Sequence, residues 1–414
     1  MNGVHDAERL KELQALPLSR KILITQTRII EWYQHFNGCV CVSFSGGKDS
    51  TVLLDIVRKI YPDVPAVFSN TGLEYPEIQK FVKGYDNVDI VTPDMRFDEV
   101  IKTYGYPLIG KEVAEAIHYA RRIRGPERER VQAERTSWRK KAELSGSRPN
   151  GKDWNVGGGL APLIQTGTAR NRRTILQGRW QAGVVNGTIG EGGVFSNGAE
   201  QFGQKSQFNK EKWLPLARDL PALISHYCCE KMKKGPMHKY QRKHKYYPIL
   251  GTLAEESRVR KQAWIRHGCN LFEGNKASSQ PMSFWTEQDV LQYISDSHLP
   301  IASVYGEIVG EPGCLSCTGC QRTGCIFCAF GAHREKGETR FQKLAKTHPR
   351  QYEYCIGGGE WVKNPYYVPD APEYDGEWKN WNPEYIWTAN KQGLGMGKLF
   401  DMVNELYGKE LYRY

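Results

Sequence analysis

The sequence has 414 residues, of which 40% are hydrophobic and 25% charged, and its formal net charge is +11. This composition is typical of a soluble globular protein with room for one large domain or for two to three ordinary ones. No apolar run reaches about 18 residues and the N-terminus lacks the order of a signal peptide, so we expect no membrane partner and a cytoplasmic location.

The first strong pattern is a strand, a glycine-containing loop and a helix within residues 39–60. Residues 39–42 are short and apolar, as in a buried strand, and the apolar residues of 52–60 fall on one helical face. Two glycines let a ligand approach the backbone, and the helix start offers unpaired N–H groups beside the charge of a lysine. This combination predicts a phosphate-binding loop with a spacing that differs from the Walker motif. The loop consists of Ser45, Gly46, Gly47, Lys48, Asp49 and Ser50.

Strand, turn and helix recur in the same order further along the chain. The alternation predicts an α/β fold, a mainly parallel and doubly wound sheet with flanking helices. Ligands of such sheets lie at the carboxyl ends of the strands, so the loops 45–50, 70–72 and 251–257 should converge on one pocket. The recurring strands are predicted at 64–68, 88–91 and 247–250, and two of the helices at 75–82 and 97–104. A further helix follows Ser283 or Thr286, either of which could cap it.

Residues 125–208 interrupt this alternation. They are rich in glycine and arginine, and residues 121–150 hold ten Lys and Arg against four Glu. The pattern predicts a basic, Gly-rich insertion, which is either an electrostatic footprint for nucleic acid or a solvated loop. The C-terminal region is rich in Trp and Tyr, which favours aromatic packing over base stacking.

Five of the eleven cysteines lie in one cluster, CLSCTGCQRTGCIFC, and a Cys-Cys pair stands far upstream. Cys-x-x-Cys spacing lets two thiolates reach one metal ion, so the pattern predicts a metal site in a reducing compartment. Spacing does not separate zinc from an iron–sulfur cluster, and the surplus thiols are either redox-active or structural. We expect Lys231, Lys233, Lys234 and Arg322 to stabilise thiolates. The cysteines concerned are Cys228, Cys229, Cys314, Cys317, Cys320, Cys325 and Cys328.

Six segments together resemble the phosphoadenosine phosphosulfate (PAPS) reductase family, within the adenine nucleotide alpha-hydrolase superfamily. They are SFSGGKDS, NTGLEYPE, HYCCEKMK, LGTLAEESRVR, FWTEQDVLQYI and RTGCIFC. The resemblance implies a nucleotide-binding domain in two parts, residues 1–124 and 209–310. The insertion 125–208 would separate these parts, and a Cys-cluster and aromatic-rich region would follow at 311–414.

The resemblance also implies roles for individual residues. The loop from Ser45 to Ser50 would bind the phosphates of ATP or of a sulfonucleotide with Mg²⁺, and Lys48 and Asp49 would serve catalysis. Thr71, Gly72, Glu256, Ser257 and Arg260 would help to hold the nucleotide. A [4Fe-4S] cluster, or alternatively Zn²⁺, would be held by Cys228, Cys229, Cys325 and Cys328, with Cys320 as a competitor for one position.

Two departures from the family pattern bear on the reaction. Leu253 and Ala254 stand where the family has an arginine pair, which removes charge expected near the phosphates or sulfate. The family's reductases also carry a nucleophilic cysteine in a short C-terminal motif, whereas this chain ends GKELYRY. Cys355 is then the candidate nucleophile, and a packed structural thiol is the alternative.

Three hypotheses about function follow from the resemblance. The first is ATP-dependent sulfur transfer to an acceptor such as nucleic acid, through an adenylated intermediate. The second is a sulfonucleotide reductase that releases sulfite and takes electrons from thioredoxin or a similar thiol donor. The third is a non-catalytic nucleotide-binding scaffold.

Overall fold

The computed structural model describes residues 5–121, 211–274, 277–371, 373–375, 378–379 and 381–414. The predicted insertion 125–208 lies outside this part of the chain. The chain divides into two compact units. The sheet unit comprises Met1–Arg96 and Cys229–Ile326, and the second unit comprises Phe97–Cys228 and Phe327–Tyr414. The domain boundaries predicted from the sequence stay predictions.

The helices of the described residues are, in chain order, α1 (Ala7–Gln14), α2 (Leu18–His35), α3 (Lys48–Ile60), α4 (Pro76–Lys83), α5 (Phe97–Tyr104), α6 (Lys111–Ala120), α7 (Leu214–Arg218), α8 (Gly235–His244), α9 (Arg258–His267), α10 (Glu287–Asp296), α11 (Arg340–Thr347), α12 (Pro349–Ile356) and α13 (Met396–Tyr407). Short 3₁₀ helices span Glu211–Trp213, Ala254–Glu256, Ser303–Tyr305 and Ala332–Arg334, and Glu230–Lys234 is a π-helical turn. Among these described helices none is both long and apolar enough to cross a membrane.

The strands are β1 (Val40–Ser43), β2 (Ala66–Ser69), β3 (Val88–Val91), β4 (Tyr247–Leu250), β5 (Asn270–Leu271), β6 (Ser278–Ser279), β7 (Ile308–Val309), β8 (Ser316–Cys317), β9 (Glu360–Lys363), β10 (Tyr374–Asp375), β11 (Trp378–Lys379) and β12 (Tyr385–Thr388). The sheet unit is built on six of them, in the order β3-β2-β1-β4-β6-β5. All neighbours in this sheet pair in parallel except β5 with β6. The predicted α/β fold with a mainly parallel sheet is confirmed.

Both faces of the sheet are covered. Along β1, Val40 and Val42 belong to the large core that also holds residues of α3, whereas Cys41 packs on the other face against Tyr240 of α8. All three β1 residues are fully buried. A strand buried on both faces reads as a continuous apolar run, because successive side chains point in opposite directions and both directions lead into the core.

Helix α10 begins with a reciprocal cap. The Thr286 hydroxyl accepts a hydrogen bond from the Asp289 N–H at 3.3 Å, and the Asp289 carboxylate accepts from the Thr286 N–H at 2.7 Å. Of the two cap candidates from the sequence, the structure selects Thr286. The cap fixes the first turn of α10, where Glu287 lies.

The second unit contains α5, α6, α7 and α11 to α13, with two antiparallel strand pairs, β9 with β12 and β10 with β11. The buried guanidinium of Arg121 anchors this unit, because it donates hydrogen bonds to four main-chain carbonyl groups and lies 4.2 Å from the centre of the Trp381 ring. The Phe400 and Tyr412 rings stack at 4.4 Å. Aromatic packing, which the sequence favoured for the C-terminal region, is what these contacts show.

Candidate nucleotide-binding site

The phosphate loop leaves no room for side chains at its first glycine. Gly46 has a φ of +70°, and a β-carbon there would lie 2.8 Å from methyl groups of both Ile78 and Val82. Gly47 is the N-cap residue of α3, and no described side chain caps this helix. The loop therefore presents bare backbone directly before a helix N-terminus, the arrangement in which N–H groups bind anions.

The two serines of the loop hold its shape. The Ser45 and Ser50 hydroxyl oxygens lie 2.9 Å apart, and Ser50 donates to the Gly47 carbonyl at 2.9 Å. The Ser45 N–H also donates to the Ser50 hydroxyl, at 3.1 Å. Hydrogen bonds inside the loop pre-organise it, so less ordering is needed when a ligand binds.

Lys48 is deeply enclosed, with 4% of its side chain exposed. Its ammonium donates to the Glu287 carboxylate at 2.9 Å and to the Gln321 carbonyl at 2.8 Å. It also lies 5.5 Å from the centre of the Tyr305 ring, and the Tyr305 hydroxyl accepts from the Lys48 N–H at 3.4 Å. A buried charge needs such partners. The loop lysine therefore sits in a fixed position with its charge balanced by a carboxylate.

Asp49 stands beside this pair. Burial raises the pKa of its carboxyl above the ordinary value, and the positive charges of Lys48 and Arg322 act against that rise. The loop after β4 packs closely here, because a β-carbon at Gly251 would lie 3.0 Å from the Asp49 carbonyl oxygen. The predicted approach of the loops after β1 and β4 is present in the structure.

The segment after β4 carries Glu256, Ser257 and Arg260. The Ser257 hydroxyl caps α9 by accepting from the Arg260 N–H at 3.3 Å. The Glu256 carboxylate forms ion pairs with Arg260 and, at 3.1 Å, with Arg322. Sequence reasoning assigned Arg322 to the cysteines, whereas the structure places its guanidinium on Glu256. Arg322 thus brings a second positive charge to Glu256 from another segment of the chain. Leu253 and Ala254, close to Glu256 in the sequence, carry no charge.

The loop after β2 is also internally bonded. The Thr71 N–H and hydroxyl donate to the Glu74 carboxylate at 3.0 and 2.8 Å, and Gly72 has a φ of +73°. Glu74 is buried and lies 3.4 Å from the Lys233 ammonium. Burial opposes the charged form of Lys233, but the nearby Cys325 and Glu74 outweigh it and raise the lysine pKa.

The cysteines predicted as cluster ligands fall into both units. Cys229, Cys320 and Cys325 belong to the sheet unit, and Cys228 and Cys328 to the second unit. Across the described ranges, no group of three or more His, Cys, Asp or Glu side chains is arranged to hold a metal ion. The [4Fe-4S] or zinc site implied by the resemblance stays a prediction, and no step of the reaction below is derived through it.

Cys317 lies next to the loop lysine. It is the last residue of β8 and 4% exposed. Burial raises the pKa of its thiol, the Lys48 ammonium acts against the rise, and Cys320 adds to it. Of the clustered cysteines, Cys317 is thus close enough to the loop lysine for the two side chains to interact.

Cys355, the candidate nucleophile, lies in α12 of the second unit and is 0% exposed. Its thiol donates to the Met396 sulfur at 3.5 Å, and burial strongly raises its pKa. A thiol that is kept protonated and away from solvent is a poor nucleophile. Where it stands, Cys355 has the properties of a packed structural thiol.

A family model described as the phosphoadenosine phosphosulfate reductase domain matches residues 39–128 and 197–325, more than half of the chain. The chain belongs to the PAPS reductase domain family. The match covers every residue of the loops after β1, β2 and β4, so the recognition made from motifs is confirmed.

Curated relatives match over shorter stretches. Adenosine 5'-phosphosulfate reductase of Mycobacterium tuberculosis is 30% identical over 132 residues, which are 32% of this chain and 47% of the relative. Phosphoadenosine 5'-phosphosulfate reductase of Serratia proteamaculans is 32% identical over 85 residues, 18% of this chain and 35% of the relative. The chain therefore spans less than half the length of these relatives.

A solved structure also overlaps this one. It is the phosphoadenylyl-sulfate (PAPS) reductase from Candida auris in a phosphate complex, with 11% sequence identity and a TM-score of 0.29. The overlap covers 74% of this chain and 95% of that chain. A TM-score this low describes a loose superposition.

Several residues of the site escaped sequence reasoning. The sequence pattern assigned no role in the site to Glu287, Tyr305 or Thr323. The Thr323 hydroxyl lies 2.6 Å from that of Tyr305. Nothing in the local pattern distinguishes these residues, because they reach the phosphate loop from segments more than two hundred positions away.

Proposed function

We propose that this member of the PAPS reductase domain family is an enzyme of sulfur metabolism that binds an adenine sulfonucleotide and reduces its sulfate group to sulfite. The observation that carries the proposal is the loop at residues 45–50. Bare backbone at Gly46 and Gly47, a helix N-terminus and the enclosed charge of Lys48 together favour a phosphate or sulfate group at this position.

Charges around the loop support an anionic ligand. Arg260 and Arg322 flank Glu256, and Lys48 is paired with Glu287. Two carboxylates thus hold three cations in place. A sulfonucleotide would compete with these carboxylates for the same cations, and pre-positioned cations need little rearrangement to receive it.

The choice of reduction over other nucleotide chemistry is supported by the names of the relatives. Both that were described above are reductases of an adenosine phosphosulfate. Reduction needs two electrons, and we expect a dithiol donor such as thioredoxin to supply them in a reducing compartment such as the cytoplasm.

ATP-dependent sulfur transfer is the second candidate, and the burial of Cys355 favours it. A reductase needs an accessible thiol, and Cys355 is not one in this structure. In this alternative the loop would hold the pyrophosphate of ATP with Mg²⁺, and an acceptor oxygen would attack the α-phosphorus. Nucleic acid as the acceptor is a further hypothesis, which filter binding at increasing salt would test, because phosphate contacts weaken steeply as salt rises.

One experiment separates the candidates. Full-length protein is incubated without oxygen with adenylyl sulfate, with its 3'-phosphorylated form, or with ATP and Mg²⁺, and sulfite, AMP and pyrophosphate are measured. Sulfite release that requires a dithiol supports the proposed reductase. Pyrophosphate release from ATP without any sulfite would overturn it in favour of sulfur transfer, and nucleotide binding without either product would favour the scaffold.

The predicted [4Fe-4S] cluster has its own test. Iron and acid-labile sulfide are determined in protein purified without oxygen, beside a Cys325→Ser variant. Stoichiometric iron that is lost in the variant would support the ligand set taken from the resemblance. Iron at background in both proteins would agree with the absence of a metal-holding group among the described residues.

A further inference from the structure

A short segment of the sheet unit, residues 321–323, lies against the phosphate loop. The Gln321 carbonyl accepts a hydrogen bond from the Lys48 ammonium at 2.8 Å. The Thr323 hydroxyl oxygen lies 2.6 Å from the Tyr305 hydroxyl oxygen, and Tyr305 is 2% exposed. The segment is therefore fixed at both ends, by the loop lysine and by an enclosed tyrosine.

The second glycine of the phosphate loop leaves a small space that three hydroxyl groups line. A β-carbon at Gly47 would lie 3.2 Å from the Ser45 hydroxyl oxygen, 3.3 Å from that of Tyr305 and 3.7 Å from that of Thr323. Gly47 directly precedes α3, so this space adjoins a helix N-terminus. Hydroxyl groups and unpaired main-chain N–H groups are both donors to an anion.

The hydrogens of the Tyr305–Thr323 pair can be counted. The Tyr305 hydroxyl oxygen accepts from the Lys48 N–H at 3.4 Å, and one hydroxyl of the pair donates to the other. Two hydroxyl groups carry two hydrogens, and the bond between them uses one. Among the described residues, no further acceptor meets either hydroxyl. The pair therefore keeps one O–H donor to spare beside the loop.

The spare hydrogen belongs to Thr323. Burial raises the pKa of Tyr305 to about 12, yet a phenol is still a stronger acid than an aliphatic alcohol and hence the better donor. The Tyr305 ring is also enclosed, whereas Thr323 is half-buried. Tyr305 thus donates to Thr323, and the Thr323 O–H is available to another group.

We propose that Thr323 donates this hydrogen bond to the phosphate or sulfate group that the loop binds, and that Tyr305 is the positioning residue for Thr323. The inference rests on the proposed function only in requiring an anionic group of the nucleotide at the loop. An ionised oxygen is a stronger acceptor than a neutral one, so the contact contributes to affinity as well as to orientation.

The test is a binding measurement on full-length protein. Isothermal titration calorimetry is carried out with AMP, with inorganic pyrophosphate and, without any dithiol, with adenylyl sulfate. Thr323→Val removes the hydroxyl and keeps the branched shape, and its affinity should fall about 10-fold to 100-fold, the range for a hydrogen bond to a charged group. An equal loss for AMP and adenylyl sulfate assigns the contact to the phosphate, and a loss for adenylyl sulfate alone assigns it to the sulfate.

Two further variants separate a hydroxyl contact from a structural role. Thr323→Ser retains the donor and should bind all three ligands within about threefold of the native affinity, because only a methyl group is lost. Tyr305→Phe keeps the ring and the Thr323 hydroxyl but loses the bond that orients it. Its affinity should therefore lie between that of the native protein and that of Thr323→Val.

Tyr293→Phe is the matched control for the tyrosine. Tyr293 lies in α10 of the same unit, is 5% exposed, and donates from its hydroxyl to the Asp55 carboxylate at 2.6 Å. Removing that hydroxyl deletes a buried hydrogen bond away from the phosphate loop. Ligand affinity per folded molecule should stay native, and urea unfolding reports the folded fraction of every variant.

The outcomes distinguish this inference from the proposed function. Native affinity of Thr323→Val for all three ligands overturns the role of Thr323, and so does an equal loss in Thr323→Ser. Sulfite release by the native protein is then unaffected as evidence for the reductase. Conversely, ligand binding without sulfite release overturns the reductase and leaves the Thr323 contact standing. If the native protein binds none of the three ligands, both are overturned.

Discussion

Cys317 and Cys355 are both almost fully buried, yet their surroundings differ. Cys317, in the sheet unit, lies beside a lysine that is itself bonded to a carboxylate and to a main-chain carbonyl. Cys355, in the second unit, has the Met396 sulfur as its hydrogen-bond partner, and burial is the only cause of its pKa rise. Two buried cysteines can therefore differ in environment, because a neighbouring charge opposes the rise in pKa of the Cys317 thiol whereas nothing opposes that of Cys355.

The same contrast extends to the two units. In the sheet unit, buried lysines pair with carboxylates, as Lys21 does with Asp289 at 2.6 Å and Lys48 does with the partly exposed Glu287. In the second unit, the described anchors are aromatic stacks and the bonds from Arg121 to main-chain carbonyl groups. Buried ion pairs add little net stability on average, which makes those at the phosphate loop better explained by ligand binding than by folding.

The largest expected effect follows from Lys48→Ala. Removing the enclosed charge should lower the rate of sulfite release about 100-fold to 1000-fold, the typical loss for a pre-organised group that stabilises developing charge. The loss in free energy of unfolding should be small, because the Glu287 side chain is 37% exposed and water can solvate the carboxylate that the lysine leaves behind. Single-turnover kinetics and urea unfolding measure the two effects.

Lys59→Ala is the matched control for that variant. Lys59 lies on the same helix, is 54% exposed and pairs with Asp55 at 2.8 Å. Exposed pairs of this kind contribute roughly 0–1 kcal/mol to the free energy of unfolding, so the variant should fold. Lys59 pairs with Asp55 and not with a residue of the phosphate loop, so turnover should stay at the native rate. Equal losses of activity in the two variants would contradict a special role for the loop lysine.

Gly46→Ala tests how tightly the loop backbone is held. A left-handed φ costs an alanine about 1–2 kcal/mol, and the contact of its β-carbon with Ile78 and Val82 should add about 1–3 kcal/mol of overpacking. Gly72→Ala is the control, because Gly72 has a similar φ of +73° and open space around it. Urea unfolding should show a clearly larger loss for Gly46→Ala, and equal losses would mean that the crowding is relieved by small movements.

The sequence predicted the frame of the fold well because local patterns determine it. Strand β3 was predicted with its observed bounds, and α5 likewise, since apolar periodicity and flanking turn residues mark both ends. The loop at 45–50 was found from its glycines and lysine alone. What could not be predicted is which distant residues complete the site. Glu287 and Gln321 reach Lys48 only through the packing of α10 and of the turn after β8, and no local pattern encodes that approach.

Cys355→Ala and Cys355→Ser test whether Cys355, in the second unit, is a structural thiol. Truncation to alanine should cost about 1 kcal/mol for the small cavity. Serine should cost more, about 1–3 kcal/mol, because it buries a hydroxyl where the thiol now meets the Met396 sulfur. Sulfite release per folded molecule should be unchanged in both. A folded Cys355→Ala variant without turnover would restore Cys355 as the nucleophile.

Asp49→Asn carries the smallest expected effect and tests the electrostatics of the loop through pH. Burial raises the pKa of the Asp49 carboxyl above its ordinary value of 3.8 in spite of Lys48 and Arg322. The folded protein therefore holds this proton to higher pH than the unfolded chain, and ionisation costs stability as pH rises through that window.

The free energy of unfolding contributed by Asp49 should then fall from pH 3.8 up to the raised pKa and stay constant above it. Asparagine cannot ionise, so the stability of the variant relative to the native protein should rise across the same window. Urea unfolding of both proteins at a series of pH values measures this difference, from which the other titrating groups cancel. A difference that is flat across the window would mean that the cations around the loop compensate the carboxylate fully, and that Asp49 is ionised in the folded protein at its ordinary pKa.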